Sequence, residues 1–211
     1  MKKHFLAMTA FLFILGVSAS ASAATITIDN INGLTPVSFS LGSTSYYVYA
    51  GEFQLTIDGV ESVGYCVDLF SNTYLGTSFY DVSFSNVDYI PNGSQAAWLM
   101  NRYSGGTAVQ NAALQLAIWS VEYGADNTPF TYLGSTGAGT VGYYFNTYLS
   151  SLGDNFYSGY DYQIAMLSPG AQNLLVKTTA PVPEPATLLL LGSGLIGLAG
   201  FRKKISGKIS G

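Results

Sequence analysis

The stretch that decides the fold is Thr107–Gly124, with the sequence TAVQNAALQLAIWSVEYG. Thr107 is a typical N-cap residue, and glycine at position 124 is typical of the place where a helix ends. These signals predict a helix over Thr107–Tyr123. Two more helices are predicted at Ser94–Tyr103 and Val141–Leu152, so the middle of the chain is helical.

Strand-like segments lie on both sides of these helices. Several alternate in polarity and are rich in β-branched and aromatic residues, and Asp58-Gly59 is a likely hairpin turn by composition. The predicted strands are Thr25–Ile28, Tyr46–Ala50, Phe53–Ile57, Gly64–Phe70, Tyr80–Val87, Gln163–Leu167 and Leu174–Lys177. This arrangement predicts an α+β domain, mainly an antiparallel β-sandwich or barrel-like sheet with a small helical subdomain.

The N-terminus has the three parts of a secretory signal peptide. Lys2-Lys3-His4 is basic, Phe5–Val17 is apolar, and Ala21-Ser22-Ala23 offers the small residues that signal peptidase reads. We therefore predict a signal peptide over residues 1–23, export through the inner membrane, and a mature domain over residues 24–180.

Three features follow one another near the C-terminus. They are Pro183-Glu184-Pro185, an apolar segment at about residues 187–201, and the basic cluster Arg202-Lys203-Lys204. The prolines disfavour helix, which predicts an exposed, extended motif, and the basic cluster suits a cytoplasmic flank. The apolar segment, predicted as a C-terminal hydrophobic helix, is shorter than the roughly 20 residues of a stable span, so a sorting signal and an ordinary anchor are both open. Residues 205–211 form a short tail.

This ordered set, over residues 181–204, resembles the PEP-CTERM sorting signal of Gram-negative bacteria. In that family an exosortase, a membrane transpeptidase-like enzyme, recognises and removes the tail. The resemblance implies exosortase as a partner, transient residence in the inner membrane as an anchored intermediate, and a final location at the cell surface or in the medium.

The scarcity of basic residues and of histidine in the mature domain excludes several functions. The chain has eight Lys and Arg residues, and only Arg102 and Lys177 lie in the mature domain, so binding to nucleic acid is excluded. The sole histidine is His4, in the signal peptide, so triads with histidine and common zinc sites cannot form. We predict no metal site, no cofactor and no enzyme with turnover; a carboxylate-only hydrolase is a distant alternative.

A single cysteine is unusual in an exported domain, where cysteines normally pair. Cys66 lies in the strand-like segment Val63–Phe70 and has no second cysteine to pair with. It is either a buried structural residue or a reactive thiol.

Three short motifs bear on this choice. They are Tyr65-Cys66-Val67-Asp68, Leu114-Gln115-Leu116-Ala117-Ile118-Trp119, and Ala171-Gln172-Asn173-Leu174-Leu175. In this order they resemble the motifs of the thioester domains of bacterial surface adhesins, whose helix carries Thr-Gln-x-Ala-Ile-Trp. The sequence departs from that pattern at Leu114, where the family usually has threonine. Tyr162–Met166 also fits the third motif, which leaves Gln163 as an alternative to Gln172.

The resemblance implies an internal thioester between the Cys66 sulfur and the Gln172 side chain. An amine on a surface or matrix component would open it in a single covalent event without turnover. Tyr65, Asp68, Gln115 and Trp119 are the supporting residues that the motifs imply, although Trp119 also suits core packing. The alternative function is a non-covalent structural or carbohydrate-binding protein of the extracellular polymer matrix, with abundant tyrosine available for stacking on extracellular polysaccharide.

Overall fold

A computed structural model describes residues 24–124, 128–167 and 170–178. These described residues form one compact unit. The predicted signal peptide, the sorting signal with its hydrophobic segment at about 187–201, and the short tail lie outside the described residues. No helix in the described ranges has the length and apolar character needed to cross a membrane.

Seven antiparallel strands form the sheet of the domain. They are β1 (Ala24–Leu41), β2 (Thr44–Ile57), β3 (Val60–Cys66), β4 (Thr77–Asn86), β5 (Phe130–Tyr132), β6 (Tyr162–Met166) and β7 (Leu174–Lys177). Their order is β2-β3-β7-β6-β4-β1-β5, and β1 also pairs with β2. Six strands therefore have a hydrogen-bonded partner on each side, and β7 lies between β3 and β6.

The β2–β3 hairpin shows how local sequence sets the register. Asp58 and Gly59 both adopt positive φ, at 49° and 84°. Two consecutive positive φ angles give the tight turn whose twist matches that of the flanking strands. Ile57 consequently pairs with Val60, and Phe53 pairs with Gly64 near the far end. The turn predicted from Asp58-Gly59 is confirmed, and its register carries β3 to its end at Cys66.

Three helices cover the sheet: α1 (Gly93–Tyr103), α2 (Ala108–Tyr123) and α3 (Val141–Leu152). A short 3-10 helix at Val87–Tyr89 precedes α1. Thr107 is the N-cap of α2, and its backbone N–H donates to Gln110 Oε1 at 2.8 Å. Every residue from Asn111 to Trp119 is buried because α2 packs between the sheet and the other helices. An apolar surface on all sides is what such a central position requires.

The sequence predictions agree with the structure in class and differ in several bounds. The α+β class, the mainly antiparallel sheet and all three helices are confirmed. The described strands form one sheet rather than the two sheets of a sandwich, and β1 pairs with both β2 and β4, which agrees with the barrel-like alternative of the prediction. The predicted strand Gly64–Phe70 is wrong beyond Cys66, because the chain turns there instead of continuing the ladder.

Several other strand predictions were too short, and one strand was missed. β1 runs on to Leu41 because register irregularities after Ile28 and after Asn32 absorb a polar stretch that resembles a loop. Tyr46–Ala50 and Phe53–Ile57 belong to one strand, β2, which stays paired with β1 throughout. The missed strand is β5, which has only three residues and too little pattern to predict.

Candidate functional site

Cys66 is the last residue of β3 and is 2% exposed. It pairs with Leu174 at the start of β7, and the next backbone N–H, that of Val67, donates to the carbonyl of Asn173 at 3.0 Å. The thiol is free and buried. The two strands thus place the cysteine beside the segment that leads into β7.

Gln115, on α2, binds the backbone of Cys66 with both ends of its side-chain amide. The Cys66 N–H donates to Gln115 Oε1 at 2.8 Å, and Gln115 Nε2 donates to the Cys66 carbonyl at 2.8 Å. The glutamine is 1% exposed, so neither bond competes with water. Two residues that sequence motifs predicted to act together are therefore in direct contact.

A tight turn follows Cys66. The Cys66 thiol donates to the Asp68 carbonyl at 3.2 Å, and the Asp68 N–H donates to the sulfur at 3.4 Å. The Asp68 carboxyl accepts from the N–H of Phe70 at 3.3 Å and from the hydroxyl of Ser71 at 2.6 Å. These contacts explain why the chain leaves the ladder after Cys66, and they assign Asp68 a role in shaping the turn.

Tyr123, the last residue of α2, fixes the same turn from the other side. Its hydroxyl accepts from the Leu69 N–H at 3.0 Å and donates to the Val67 carbonyl at 3.4 Å. Together with Gln115, it ties the backbone from Cys66 to Leu69 to two points on one helix. Tyr123 was not among the predicted site residues, although its spacing of eight residues from Gln115 places it on the same helical face.

Between these two points α2 carries Trp119 and Glu122, both more than nine-tenths buried. Neither the Trp119 Nε1 donor nor Glu122 Oε2 has a hydrogen-bond partner. The indole lies close enough to the Cys66 sulfur to favour the thiolate, but not with the geometry of a hydrogen bond. Sequence motifs predicted Trp119 as a supporting residue, whereas Glu122 was missed.

Burial controls the protonation of this cluster. Loss of hydration raises the pKa of the Cys66 thiol to about 12, while the Asp68 backbone and the Trp119 indole oppose the shift. Loss of hydration and the nearby Asp68 charge raise the pKa of the Glu122 carboxyl to about 8. At neutral pH both the thiol and most of the Glu122 population therefore carry a proton.

Tyr65 points to a second network rather than to the sulfur. Its fully buried hydroxyl donates to Glu52 Oε2 at 2.8 Å, and the same oxygen accepts from the Gly105 N–H at 2.7 Å. Glu52 Oε1 accepts from Gln54 at 3.0 Å. Burial and the Glu52 charge raise the pKa of Tyr65. The network joins β2 and β3 to the loop before α2, so Tyr65 supports the site by fixing the strand that carries Cys66.

Gln172 lies two residues before β7. Its N–H donates to the Asn72 carbonyl at 3.1 Å, and its side-chain Oε1 accepts from the Thr73 hydroxyl. Cys66 pairs with Leu174, two residues after Gln172 along the chain. The side-chain amide is half-buried and bound to Thr73, which sequence reasoning did not identify.

The alternative residue, Gln163, lies on β6 and pairs with Val176. Because β7 separates β6 from β3, Gln163 is at least two strand spacings from Cys66, or about 9–10 Å. Gln172 precedes β7, the strand that pairs with the strand of Cys66, whereas Gln163 lies on β6, one strand farther away. In the described part of the chain no three His, Cys, Asp or Glu side chains form a group suited to a metal ion.

The region after this domain has a match among known protein families. A family model described as the PEP-CTERM protein-sorting motif matches residues 181–204. The chain carries a PEP-CTERM sorting motif. This confirms the prediction drawn from Pro183-Glu184-Pro185 and the basic cluster, and the motif implies export, a membrane-anchored sorting intermediate and processing by exosortase.

The comparisons extend no further than the PEP-CTERM motif. No curated protein matches the chain, and no solved structure matches it. The resemblance of residues 24–180 to thioester domains consequently remains a prediction from three sequence motifs.

Proposed function

We propose that the exported domain forms an internal thioester between Cys66 and Gln172 and uses it to attach covalently to an amine-bearing surface or matrix component. The observation that carries the proposal is the pair of 2.8 Å hydrogen bonds from Gln115 to the Cys66 backbone. Because Gln115 binds both backbone groups of Cys66, it fixes the backbone from which the cysteine side chain projects. The proximity of the segment before β7 supports Gln172 as the acyl donor.

The chemistry balances without a cofactor. The Cys66 sulfur attacks the Gln172 amide carbon, the sulfur–carbon bond forms, and the carbon–nitrogen bond breaks as ammonia leaves with the thiol proton. A primary amine on the target then forms a new amide with that carbon. The sulfur departs and regains a proton, so each molecule reacts once. Gln172 must first leave the Thr73 hydroxyl, which holds its oxygen.

The sorting motif indicates where this chemistry would take place, outside the inner membrane. Exosortase is the partner implied by residues 181–204, and a cell-surface or secreted product would bring the domain that contains Cys66 and Gln172 to outside partners. Only two basic residues, Arg102 and Lys177, lie in residues 24–180. The domain thus has few amines of its own with which to consume a thioester.

Intact mass spectrometry of residues 24–180 tests the proposal. We expect a mass about 17 Da below the sequence value, because ring closure releases ammonia. Cys66→Ala and Gln172→Ala should each show the full mass expected for their sequences, and Gln163→Ala should still show the deficit. Methylamine should add one methylamine mass to the wild-type domain. An unshifted wild-type mass with a fully titratable Cys66 thiol would refute the thioester.

A second function, non-covalent binding of extracellular polysaccharide, is favoured by exposed tyrosines. Tyr47 and Tyr49 on β2 are 69% and 60% exposed, and their rings lie 6.4 Å apart in an edge-to-face arrangement. Exposed aromatic faces on a rigid strand suit stacking on sugar rings. Retardation by extracellular polysaccharide in affinity electrophoresis, lost in a Tyr47→Ala/Tyr49→Ala variant, would support this function; unchanged migration of the wild-type domain would exclude it.

A further inference from the structure

The face of α2 that meets Cys66 has one residue that the thioester motifs do not explain. Gln115, Trp119 and Glu122 follow each other at intervals of four and three residues, which places them on one helical face. Gln115 contacts the cysteine backbone, and Trp119 lies beside the sulfur. Glu122 is 6% exposed although it is a carboxylic acid.

The polar atoms of this face are incompletely bonded. A buried polar group without a partner costs about 1–3 kcal/mol, so such groups are rare in native proteins and call for a specific explanation. Here one donor, Trp119 Nε1, and one carboxyl oxygen, Glu122 Oε2, both lack partners. Both lie on α2, one turn apart, and α2 is the helix whose Gln115 binds the backbone of Cys66.

We propose that Glu122 carries protons for the thioester, taking the proton of the Cys66 thiol and delivering it to the nitrogen that leaves Gln172. This inference rests on the proposed function. It assigns proton transfer to a residue outside the three sequence motifs, acting through one bridging water molecule, since Glu122 Oε2 makes no hydrogen bond to the sulfur itself.

The proton balance closes in both directions. During formation, ionised Glu122 accepts the thiol proton as the sulfur–carbon bond forms, and it returns that proton to the departing nitrogen, which leaves as ammonia. During opening, it accepts a proton from the attacking amine as the new amide forms, and it gives the proton to the departing sulfur. Glu122 is unchanged after each reaction.

The surrounding groups suit this role. Asp68, Tyr123 and Cys66 are the titratable groups around Glu122, and none of them is basic. The Asp68 carboxyl is occupied by Phe70 and Ser71. Because residues 24–180 contain no histidine, Glu122, with a pKa of about 8, is the group near the sulfur that can both accept and donate at physiological pH.

The inference is tested by the rate of thioester opening by methylamine, measured by mass at a constant concentration of unprotonated amine from pH 6 to pH 9.5. For the wild-type domain we expect a rate that rises with pH and levels off above about pH 8, as Glu122 ionises. For Glu122→Gln, in the molecules that show the mass deficit of lost ammonia, we expect a rate at least about 100-fold lower at pH 9, the usual minimum for loss of an acid–base group, with no bend in the profile. A variant that shows no deficit, although it is folded and the wild type shows one, supports the role of Glu122 in formation. The matched control, Glu61→Gln on the exposed side of β3, should behave like the wild type.

Several outcomes overturn the inference. A wild-type profile without a bend overturns it without any variant, so the test does not depend on the folding of Glu122→Gln. Equal rates in wild type and Glu122→Gln, both shown to be folded by circular dichroism, overturn it as well while the thioester itself stands. A wild-type domain without the 17 Da deficit, the sign of lost ammonia, refutes the proposed function and the inference together.

Discussion

Gln115 and Cys66 are joined by two hydrogen bonds of 2.8 Å, one to the backbone N–H and one to the backbone carbonyl of the cysteine. Cys66 is the last residue of its strand, where one side of the ladder ends. The side chain of Gln115 therefore replaces a neighbouring strand at that point and couples the helical layer to the sheet.

Replacing Gln115 with alanine should destabilise the domain. The change leaves a buried N–H and a buried carbonyl of Cys66 without partners, and a cavity where the amide was, so we expect a loss of about 2–4 kcal/mol in the free energy of unfolding. Urea denaturation measures it. Gln95→Ala, at a half-buried position of α1, is the control and should change stability by less than about 1 kcal/mol. Equal losses in the two variants would contradict the structural role of Gln115.

Glu52 and Tyr65 should be energetically coupled. Tyr65→Phe removes one donor to the buried carboxyl, and Glu52→Gln weakens the acceptor, so each variant should lose stability. We expect a coupling energy of about 1–3 kcal/mol in the double-mutant cycle, within the range for contacting buried residues. Chemical denaturation of the four proteins gives this value. Additive losses would mean that the 2.8 Å contact contributes nothing to the fold.

Gly33 should tolerate alanine less well than Gly59. Both residues have positive φ, at 81° and 84°, so both substitutions strain the backbone by about 1–2 kcal/mol. A Cβ at position 33 would also lie 2.3 Å from the Cα of Ala108 at the start of α2, whereas a Cβ at position 59 meets nothing within 4 Å. We expect Gly33→Ala to cost at least about 1–3 kcal/mol more than Gly59→Ala, measured by thermal or urea unfolding. A difference near zero would contradict this close approach of β1 to the helix.

Glu122 should make stability depend on pH. Its pKa is raised from an ordinary carboxyl value to about 8 in the folded state, so the folded protein binds a proton that the unfolded chain has released. Stability should therefore decrease as pH rises from about 4.5, and the decrease should end above about pH 8. Glu122→Gln should lack this component, so the difference in stability between variant and wild type should shift in favour of the variant between pH 5 and pH 9. Unfolding curves at pH 5, 7 and 9 would show a constant difference if Glu122 had a normal pKa.

The PEP-CTERM motif can be tested separately from the domain. Replacing Pro183-Glu184-Pro185 with three alanines should block recognition by exosortase, so we expect the protein to accumulate in the membrane fraction at its unprocessed mass. Lys208→Ala lies outside the matched residues 181–204 and is the control. Fractionation with immunodetection of the domain measures both, and normal processing of the triple variant would show that the motif is not read.

The sequence predicted those features that local chemistry determines. Thr107 and Gly124 bound α2 correctly because capping and termination act within one helical turn. Asp58-Gly59 correctly predicted the β2–β3 hairpin, because the turn depends on the positive φ angles of these two residues. The extent of β1 could not be predicted, because its polar residues after Ile28 stay in the ladder only through pairing with β2, a partner distant in sequence.

The candidate site was predictable to a similar degree. The order of the sequence motifs predicted that Cys66 and Gln115 belong to one site, and the two residues are in contact in the structure. Glu52 and Glu122 had no local signal, since a carboxylate in a sequence normally indicates solvent exposure. Helical spacing could have identified Glu122, which follows Gln115 by seven residues, but its burial depends on how the turn after Cys66 packs on the helix.

The place of Gln172 in the chain has a mechanical consequence. Gln172 precedes β7 closely, and the C-terminal sorting motif begins soon after that strand, at residue 181. A target bonded to Gln172 and a cell that holds the C-terminal end would stretch only the short segment between them. Tension would follow the backbone of this segment, which contains β7, and would reach the neighbouring strands β3 and β6 only through their hydrogen bonds to β7. We expect such a domain to stay attached to its target under a flow that would unfold a domain pulled at its N- and C-terminal ends.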